Sequence, residues 1–524
     1  MADDISRHND RIEIEVEKEN TENLEHVTEQ QNGLPHIDPA RRAAAEKSLK
    51  RKLDARCSLF VLIYIMNYLD RNNISAARLK GLQEDLGLTD TQYSTCLSIL
   101  YVGYILMQVP SNMFINRISR PSIYIAISMT LWGLISTCSG NAKNFGHMVA
   151  IRFLLGFVEA AFLPGALLIL SKWYTRKELT TRNAILFCGN LISNAFSSLI
   201  AAGVLSNMEG VLGHAAWRWL FWIEGAITMT IAVSAGFILP DLPTNARGFT
   251  EDERLVAQIR ILEDVGEADT DSEEQSPFTG LIMALKDYKI YIMMLSFTAY
   301  VVGLSFNAFF PTLTGTLGFS EIPTLLLSAP PMGLLLYLLR HQRLARRSNP
   351  GKGQSHPLYQ HHSESPTNSS QIWHIYGPIV MGLVGFIISM STLNVAARYV
   401  ALFLQAGSYA GFIVFYSWIS SSFPRPPAKR AVALALINAF SQLGNVAGSY
   451  VWDLSENGYR KSYGIVTAMF GITIVGFWLF RMILVNLNNK LAEAEESTDE
   501  SQAGDFIVSA NESLCMRKGF RYLV

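Results

Sequence analysis

Residues 57–78 read CSLFVLIYIMNYLDRNNISAAR, and they join an apolar run directly to a charged pair. Asp70 and Arg71 stand side by side in what would be the second half of one membrane helix. A charged side chain at the centre of a bilayer costs about 3 kcal/mol on insertion scales. If this stretch crosses a membrane, both charges therefore require buried partners and are candidates for a functional role.

The composition of the whole chain is typical of a membrane protein. Its 524 residues are 49% hydrophobic and 17% charged, whereas soluble proteins carry about 25% charged residues. The net charge of -1 provides no field that would attract nucleic acid, so no nucleic-acid partner is expected.

The sequence carries no signature of an enzyme or of a cofactor. The five cysteines are scattered singly without a CxxC pair, so neither a metal site nor a disulfide framework is predicted. We find no Walker loop, no HExxH motif and no credible nucleophile triad. We therefore expect no cofactor and no catalytic activity.

Apolar segments of about 20 residues, the length of a membrane helix, occur twelve times along the chain. The predicted spans are 57–79, 92–115, 121–140, 147–170, 183–206, 217–239, 289–312, 322–339, 374–392, 395–421, 430–452 and 462–485. They form an N-terminal six-helix bundle, residues 57–239, and a C-terminal one, residues 289–485. The polar tails 1–56 and 486–524 and the linker 240–288 are expected to be flexible, although TEDERLVAQIRILED from Thr250 fits a short capped surface helix.

Lysine and arginine residues mark one side of the predicted membrane protein. They are concentrated before span one, after span four and after span ten. Because positive residues favour the cytoplasmic side, both termini and the central linker are predicted to be cytoplasmic. The plasma membrane is the expected location.

The two halves share short matching stretches. Span four contains RFLLGFVEAAF from Arg152, and span ten contains RYVALFLQAGSY from Arg398. Seven residues after each arginine stands a polar group, Glu159 or Gln405. NAFS occurs in span five and again in span eleven, and its two copies are separated by nearly the same number of residues as Arg152 and Arg398. These matches indicate pseudo-symmetric halves; recurrent small residues at helix contacts are the alternative explanation.

Several long motifs resemble one transporter family. They are NYLDRNNISAARLKGLQEDLGLTDTQYS, QVPSNMFINRISRPS, RFLLGFVEAAFLPG, WRWLFWIEG and FPRPPAKRAVALALINAFSQLGNVAGSYVW. Together they resemble the anion:cation symporter branch of the major facilitator superfamily, and within it the fungal allantoate and nicotinate permeases. The resemblance implies an all-α fold of two six-helix bundles that rock about a central cavity. It also implies transport of small organic anions, often carboxylates and usually driven by protons.

Residues 340–371, RHQRLARRSNPGKGQSHPLYQHHSESPTNSSQ, depart from that family. The family usually has a short loop here with an Asp-Arg pair, but this loop contains no Asp. This atypical cytoplasmic loop is either a gene-model error or a divergent sequence.

The charges of span one are expected to pair with span four. Adjacent helix residues point about 100° apart, so Asp70 and Arg71 need different partners. Matching their depths in the membrane predicts the pairs Asp70–Arg152 and Arg71–Glu159. The alternative is that these pairs only fix helix packing.

The resemblance suggests roles for these four residues. In the resembling bacterial sugar-acid transporters, the matching positions include proton-coupling carboxylates and a substrate-binding arginine. We therefore expect Asp70 and Glu159 to couple protons, and Arg71 and Arg152 to bind the substrate. Protonation of Glu159 would release Arg71 to bind a substrate carboxylate through two parallel hydrogen bonds.

Other polar side chains of the spans are candidates for hydrogen bonds to a substrate, although each one alone is more often a helix–helix contact. They are Asn190, Asn307, Gln405, Tyr409, Asn438 and Gln442, with Tyr101 and Tyr104 as possible walls of the site. Gln405 stands where the repeat places Glu159, but it cannot titrate.

The sequence thus predicts a monomeric secondary transporter in a lipid bilayer. Its expected activity is proton-coupled uptake of a small organic anion such as nicotinate, allantoate or a related acid. The alternatives are a transporter-like nutrient sensor and a facilitator without proton coupling.

Overall fold

Helices make up almost all of the computed structural model, which describes residues 37–115, 118–266, 277–331, 370–423, 427–454, 456–497, 506–508 and 515–517. The first half has α1 (Pro39–Arg78), α2 (Leu82–Asp85), α3 (Asp90–Ile115), α4 (Pro121–Ser139), α5 (Phe145–Glu159), α6 (Phe162–Trp173), α7 (Arg176–Asn207) and α8 (Ala216–Ile238). The linker has α9 (Glu251–Gly266) and α10 (Pro277–Lys286).

The second half continues with α11 (Tyr288–Leu304), α12 (Phe310–Gly315), α13 (residues 321–331), α14 (Ser370–Ser391), α15 (Val395–Gly407), α16 (Ala410–Ser422), α17 (Pro427–Val451) and α18 (Glu456–Ser497). Short 3₁₀ turns lie at Val211–Gly213 and Ser305–Phe309. Near the C-terminus, β1 (Phe506–Val508) pairs antiparallel with β2 (Cys515–Arg517).

Seven helices in the described part of the chain are long and apolar enough to cross a membrane. They are Asp90–Ile115, Pro121–Ser139, Phe145–Trp173, Thr181–Asn207, Ala216–Ile238, Tyr288–Gly315 and Gly458–Glu493, and a shorter apolar helix covers Ile375–Ser391. The all-helical membrane architecture is therefore confirmed, whereas the count of twelve spans stays a prediction. Most of the atypical loop 340–371 lies outside the described residues, since α14 begins at its end.

Two predicted spans are interrupted at matching places. The predicted span 147–170 is divided into α5 and α6 at residues 160–161, directly after Glu159. The predicted span 395–421 is divided into α15 and α16 at residues 408–409, soon after Gln405. Equivalent interruptions beside equivalent polar residues support the internal repeat.

Helix α1 begins well before the predicted first span. Asp38 caps it by accepting hydrogen bonds from the backbone N–H groups of Ala40 and Arg41, and Pro39 occupies the first turn. Leu49 and Leu53 are fully buried. The prediction of a flexible tail over residues 1–56 is therefore wrong for residues 39–56, because this segment has its own apolar face to bury.

Helix α9 packs against the apolar face of residues 39–56 and buries it. The expected cap is present: the Thr250 hydroxyl accepts from the N–H of Glu253, and the Glu253 carboxylate accepts from the N–H of Thr250. Glu253 also pairs with Lys52 at 2.8 Å. Two further ion pairs, Arg41–Asp252 and Arg42–Glu263, fasten α9 to α1. The linker 240–288 is therefore not flexible over α9.

The contact between α9 and α1 is expected to weaken in acid. Burial opposes ionisation of Glu253, but hydrogen bonds from Lys52, the Thr250 N–H and Ser48 outweigh it and lower the pKa of Glu253. This contribution is complete above the ordinary carboxyl pKa of 4.5 and is lost as the pH falls through the lowered value. Hydrogen exchange of residues 251–266, corrected for intrinsic rates, should show less protection at about pH 3 than at about pH 6.

The matched variant is Glu253→Gln. It should lower protection of the same segment at both pH values and leave a smaller change between them. Equal pH dependence in the variant and the wild type would contradict the role assigned to this carboxylate.

The two halves meet on the side of the molecule opposite α9, which we call the far side. Lys80 pairs there with Glu321 at 2.7 Å. The Ser94 hydroxyl donates to Asp453, and Tyr450 lies 3.1 Å from the Thr95 hydroxyl. These contacts hold the far-side ends of α1 and α3 against the second half.

Candidate functional site

The pair Arg71–Glu159 joins α1 to α5 in the interior of the first half. Arg71 Nε lies 2.7 Å from Glu159 Oε2, and the side chains are 12% and 0% exposed. The guanidinium also lies over the rings of Tyr68 and Tyr104, at 5.3 and 4.9 Å from their centroids. The predicted Arg71–Glu159 pair is therefore confirmed, and the ring of Tyr104 lies beside it; its role as a wall of the site stays a prediction.

Arg152 lies beside this pair, and no acid among the described residues forms a salt bridge with it. Its Nε donates to the carbonyl of Cys96 at 3.4 Å, and its Nη2 donates to the carbonyl of Arg71 at 3.3 Å. Its Nη1 and the Oε1 atom of Glu159 have no hydrogen-bond partner among the described residues. Two cations thus face one carboxylate, and both signs retain unused hydrogen-bonding capacity.

Asp70 corrects the second predicted pair. It is fully buried, and it accepts hydrogen bonds from Ser136 at 2.8 Å, Thr228 at 3.1 Å and Trp132 at 3.2 Å. These donors lie on α4 and α8, so the prediction of an Asp70–Arg152 pair is wrong. Arg152 and Glu159 are two turns apart on one face of α5, and that face meets Arg71, whereas Asp70 points about 100° away.

Polar side chains from both halves meet near Arg71. Asn72 donates to Asn194 at 2.6 Å, and Asn307 of the second half donates to the same oxygen at 3.3 Å. Asn194 in turn donates to Asn190 at 3.0 Å. Asn190 also lies close to the hydroxyl of Tyr409, which in turn lies near Tyr68 and Tyr101.

The structure therefore places three of the predicted ligand-binding residues in one region, near the rings of Tyr68 and Tyr101: Asn190, Asn307 and Tyr409. Asn72, Asn194 and Tyr68 were missed as candidates. The repeated NAFS motif contains Asn194, so the sequence signal for it was available. Asn72 follows Arg71 directly, but nothing in the sequence identifies its partner.

Gln405 lies elsewhere. It is fully buried within the second half, and its amide donates to Ser389 at 2.8 Å and to the carbonyl of Gly385 at 3.3 Å, both on α14. The prediction that it faces the central cavity is wrong, because its face of α15 packs against α14. Its repeat equivalent Glu159 instead meets α1, so the two halves differ at this position.

Asn438 and Gln442 form a ladder along α17. The Gln442 amide donates to Asn438 at 3.5 Å and accepts from Asn445 at 2.9 Å. Side chains at these spacings lie on one helix face. Their predicted contact with a substrate stays a prediction.

The described residues contain no group of three or more His, Cys, Asp or Glu side chains that could hold a metal ion. Chemically, the region around Arg71 can bind an anion and exchange partners, since cations outnumber acids there.

Similarity to known proteins extends over most of the chain. The family model Major Facilitator Superfamily matches residues 60–449. The MFS-type transporter cnsO of Penicillium expansum is 32% identical, covering 84% of this chain and 83% of the relative. The major facilitator-type transporter hxnP of Emericella nidulans is 30% identical, covering 80% of each chain.

Solved structures agree on the fold. A bacterial homolog of the human lysosomal transporter Spinster, in an inward-facing and unoccupied conformation, gives a TM-score of 0.59 at 16% identity, over 82% of this chain and 96% of that one. The proton:xylose symporter XylE gives the same TM-score, identity and coverage. With the family match over most of the chain and the shared helical architecture, the protein is a multi-pass membrane transporter that belongs to the Major Facilitator Superfamily.

Proposed function

We propose that the protein takes up a small organic anion together with protons, by alternating access between two six-helix bundles. In this proposal the chain has twelve spans, both termini and α9 are cytoplasmic, and the far side is extracellular. The protein acts as a monomer in the plasma membrane. The substrate class is a monocarboxylate such as nicotinate, or a related acid such as allantoate.

The charge balance around Arg71 carries the proposal. Arg71 and Arg152 bring two positive charges, and Glu159 brings one negative charge, so the cluster has a formal charge of +1. Within the described part of the chain, the buried Nη1 of Arg152 has no hydrogen-bond acceptor. A buried cation without an acid to pair with is costly, and a bound carboxylate would supply the acceptor that Nη1 lacks.

Glu159 links anion binding to a proton. Its Oε2 holds Arg71, so protonation of this carboxylate weakens the ion pair and frees the guanidinium. A substrate carboxylate then takes the place of Glu159 against Arg71. One proton and one monoanion enter together, which leaves the formal charge of the cluster unchanged.

Glu159→Gln should remove the coupling and keep much of the shape. In vesicles loaded with the purified protein, the wild type should concentrate labelled nicotinate or allantoate more strongly at about pH 5 than at about pH 7, because protons drive the uptake. The Gln variant should equilibrate the acid without concentrating it and should lose most of the pH dependence.

The control is Glu84→Gln, which removes an exposed carboxylate. It should behave like the wild type. Full concentrating uptake by Glu159→Gln would exclude Glu159 as the coupling group, and equilibration by the wild type itself would indicate a facilitator. Binding of the labelled acid without any flux would indicate a nutrient sensor.

A further inference from the structure

A second pair of buried acids lies where α1, α4 and α8 meet. Asp70 of α1 is 0% exposed and Glu224 of α8 is 1% exposed. Asp70 bonds to Thr228, one turn from Glu224 on α8, and Glu224 bonds to Asn73, one turn from Asp70 on α1. The two carboxylates are therefore neighbours, and neither has a salt-bridge partner among the described residues.

The two acids differ in the number of hydrogen bonds that they accept from the described residues. Asp70 accepts three hydrogen bonds from neutral donors, one of them to Oδ1 and two to Oδ2. That arrangement satisfies an ionised carboxylate, which only accepts. Glu224 accepts a single bond, from Asn73 Nδ2 to Oε2 at 2.5 Å.

One oxygen atom of Glu224 and one of Asn73 lack hydrogen-bond partners among the described residues. Glu224 Oε1 and Asn73 Oδ1 are both buried without a hydrogen bond among the described residues. The two side chains already share one hydrogen bond, from Asn73 Nδ2 to Glu224 Oε2. Two acceptors are thus left over, and a donor is missing.

A proton supplies that donor. A protonated carboxyl donates one O–H and still accepts, so it can pair with a primary amide through two hydrogen bonds. Exchanging the oxygen and nitrogen of the Asn73 amide does not alter this conclusion. The amide oxygen would then face Oε2, and only a protonated Glu224 could donate to it.

We propose that Glu224 is a proton-binding residue, held as a neutral carboxylic acid by Asn73 beside an ionised Asp70, at a site separate from the Arg71–Glu159 anion site. The charged groups that face this site are Asp70 and, beyond it, Glu159 of α5. The side chains of α4 and α8 that contact Asp70 are all neutral. No proton transfer or covalent step is required, only retention of one proton on Glu224.

The charges of the five ionisable side chains at the two sites then balance. Arg71 and Arg152 are positive, Asp70 and Glu159 are negative, and Glu224 is neutral. An ionised Glu224 would add a further negative charge next to Asp70, and like charges in a dry interior are unfavourable. This inference deepens the proposed function. It rests on that function only for the assumption that transport uses the proton on Glu224.

Helices α4 and α8 are closely packed beside this site. A Cβ atom on Gly133 of α4 would lie 2.9 Å from Met229 Cγ, and one on Gly225 of α8 would overlap the Thr137 hydroxyl. Helices α4 and α8 therefore touch closely on either side of the acids.

Infrared difference spectroscopy tests the assignment without any substrate. The spectrum of the wild type minus that of Glu224→Gln, at about pH 7, should contain the carbonyl band of a protonated carboxylic acid. The same band should remain in Asp70→Asn, because Asp70 is ionised in this proposal. Glu84→Gln should give no such difference, since Glu84 is exposed and lies outside the buried pair.

The outcomes separate the possible assignments. A band that is lost in Asp70→Asn and kept in Glu224→Gln would overturn the proposal and give the proton to Asp70. Absence of any difference band in both variants would overturn it as well. Asn73→Ala should shift the band to higher frequency, because the acid loses its hydrogen-bond acceptor, and an unmoved band would contradict the acid–amide pair.

A second measurement covers a folding failure of either variant. The amide that Glu224→Gln introduces can donate to Asn73 in place of the acid, so this variant should unfold at the wild-type temperature in detergent. A marked loss of stability would mean that a charge is needed at this position, and would overturn the neutral acid. These results do not depend on uptake, so the proposed function can fail while this inference stands, and the reverse.

Discussion

Arg71→Gln is expected to reduce anion uptake at least thirtyfold and to destabilise the protein. The variant removes the cation that would bind the substrate, and it leaves Glu159 buried without the partner now 2.7 Å away. Truncating one member of a buried, hydrogen-bonded charge pair costs about 2–5 kcal/mol, and about 1.4 kcal/mol corresponds to a factor of ten. Uptake of labelled acid into vesicles and thermal unfolding in detergent measure the two effects.

Two further variants separate binding from stability. Arg41→Gln removes an arginine whose side chain is 69% exposed and paired with Asp252, and it should leave uptake near the wild-type rate. The double variant Arg71→Gln with Glu159→Gln removes both members of the pair and so leaves no uncompensated carboxylate; it should recover part of the unfolding temperature but not the uptake. Recovery of wild-type uptake by the double variant would show that Arg71 serves only as a partner for Glu159.

Gly156→Ala is expected to disrupt the contact between α3 and α5. A Cβ atom at this position would overlap the carbonyl oxygen of Leu100 and lie 2.7 Å from its carbonyl carbon. Backbone atoms cannot rotate away, so the two helices must separate. Overpacking of this kind typically costs about 1–3 kcal/mol, and here it also moves Arg152 and Glu159, which lie on α5. A lower unfolding temperature and a loss of uptake should appear together.

Gly203→Ala provides the matched control. No heavy atom lies within 4 Å of the position that its Cβ would occupy. Alanine favours helix over glycine by about 1 kcal/mol, so this variant of α7 should be neutral or slightly stabilising. If Gly156→Ala unfolds at the same temperature as Gly203→Ala, the close approach of α3 and α5 contributes nothing to stability.

The charge pairs show what sequence reasoning can and cannot supply. The depth of a residue along its helix follows from residue spacing, and matching the depths correctly predicted the Arg71–Glu159 pair. Depth also matched Asp70 to Arg152, but direction around the helix excludes that pair. Because Arg152 and Glu159 share one face of α5, only one of two adjacent α1 residues can meet both. The neighbours that Asp70 meets instead lie on α4 and α8, which no local pattern identifies.

Local signals were more reliable than long-range ones. The capping box at Thr250 and Glu253 was readable because both residues lie within one turn. The packing of α9 on α1 was not readable, since it brings Glu253 to Lys52, which is far away in the sequence. Likewise, the repeat located Gln405 correctly along its helix, but it could not show that this face of α15 meets α14.

Two polar contacts between the halves are individually weak, and this has a consequence for the balance of conformations. Lys80 and Glu321 are 24% and 49% exposed, and an exposed pair of this kind contributes about 0–1 kcal/mol. The amide contact of Asn307 with Asn194 is a neutral hydrogen bond, which contributes about 0.5–1.5 kcal/mol. A ligand can shift an equilibrium only by the difference in its affinity for the two states. Because each of these two contacts contributes so little, a ligand that favours one state by a few kcal/mol would outweigh both of them.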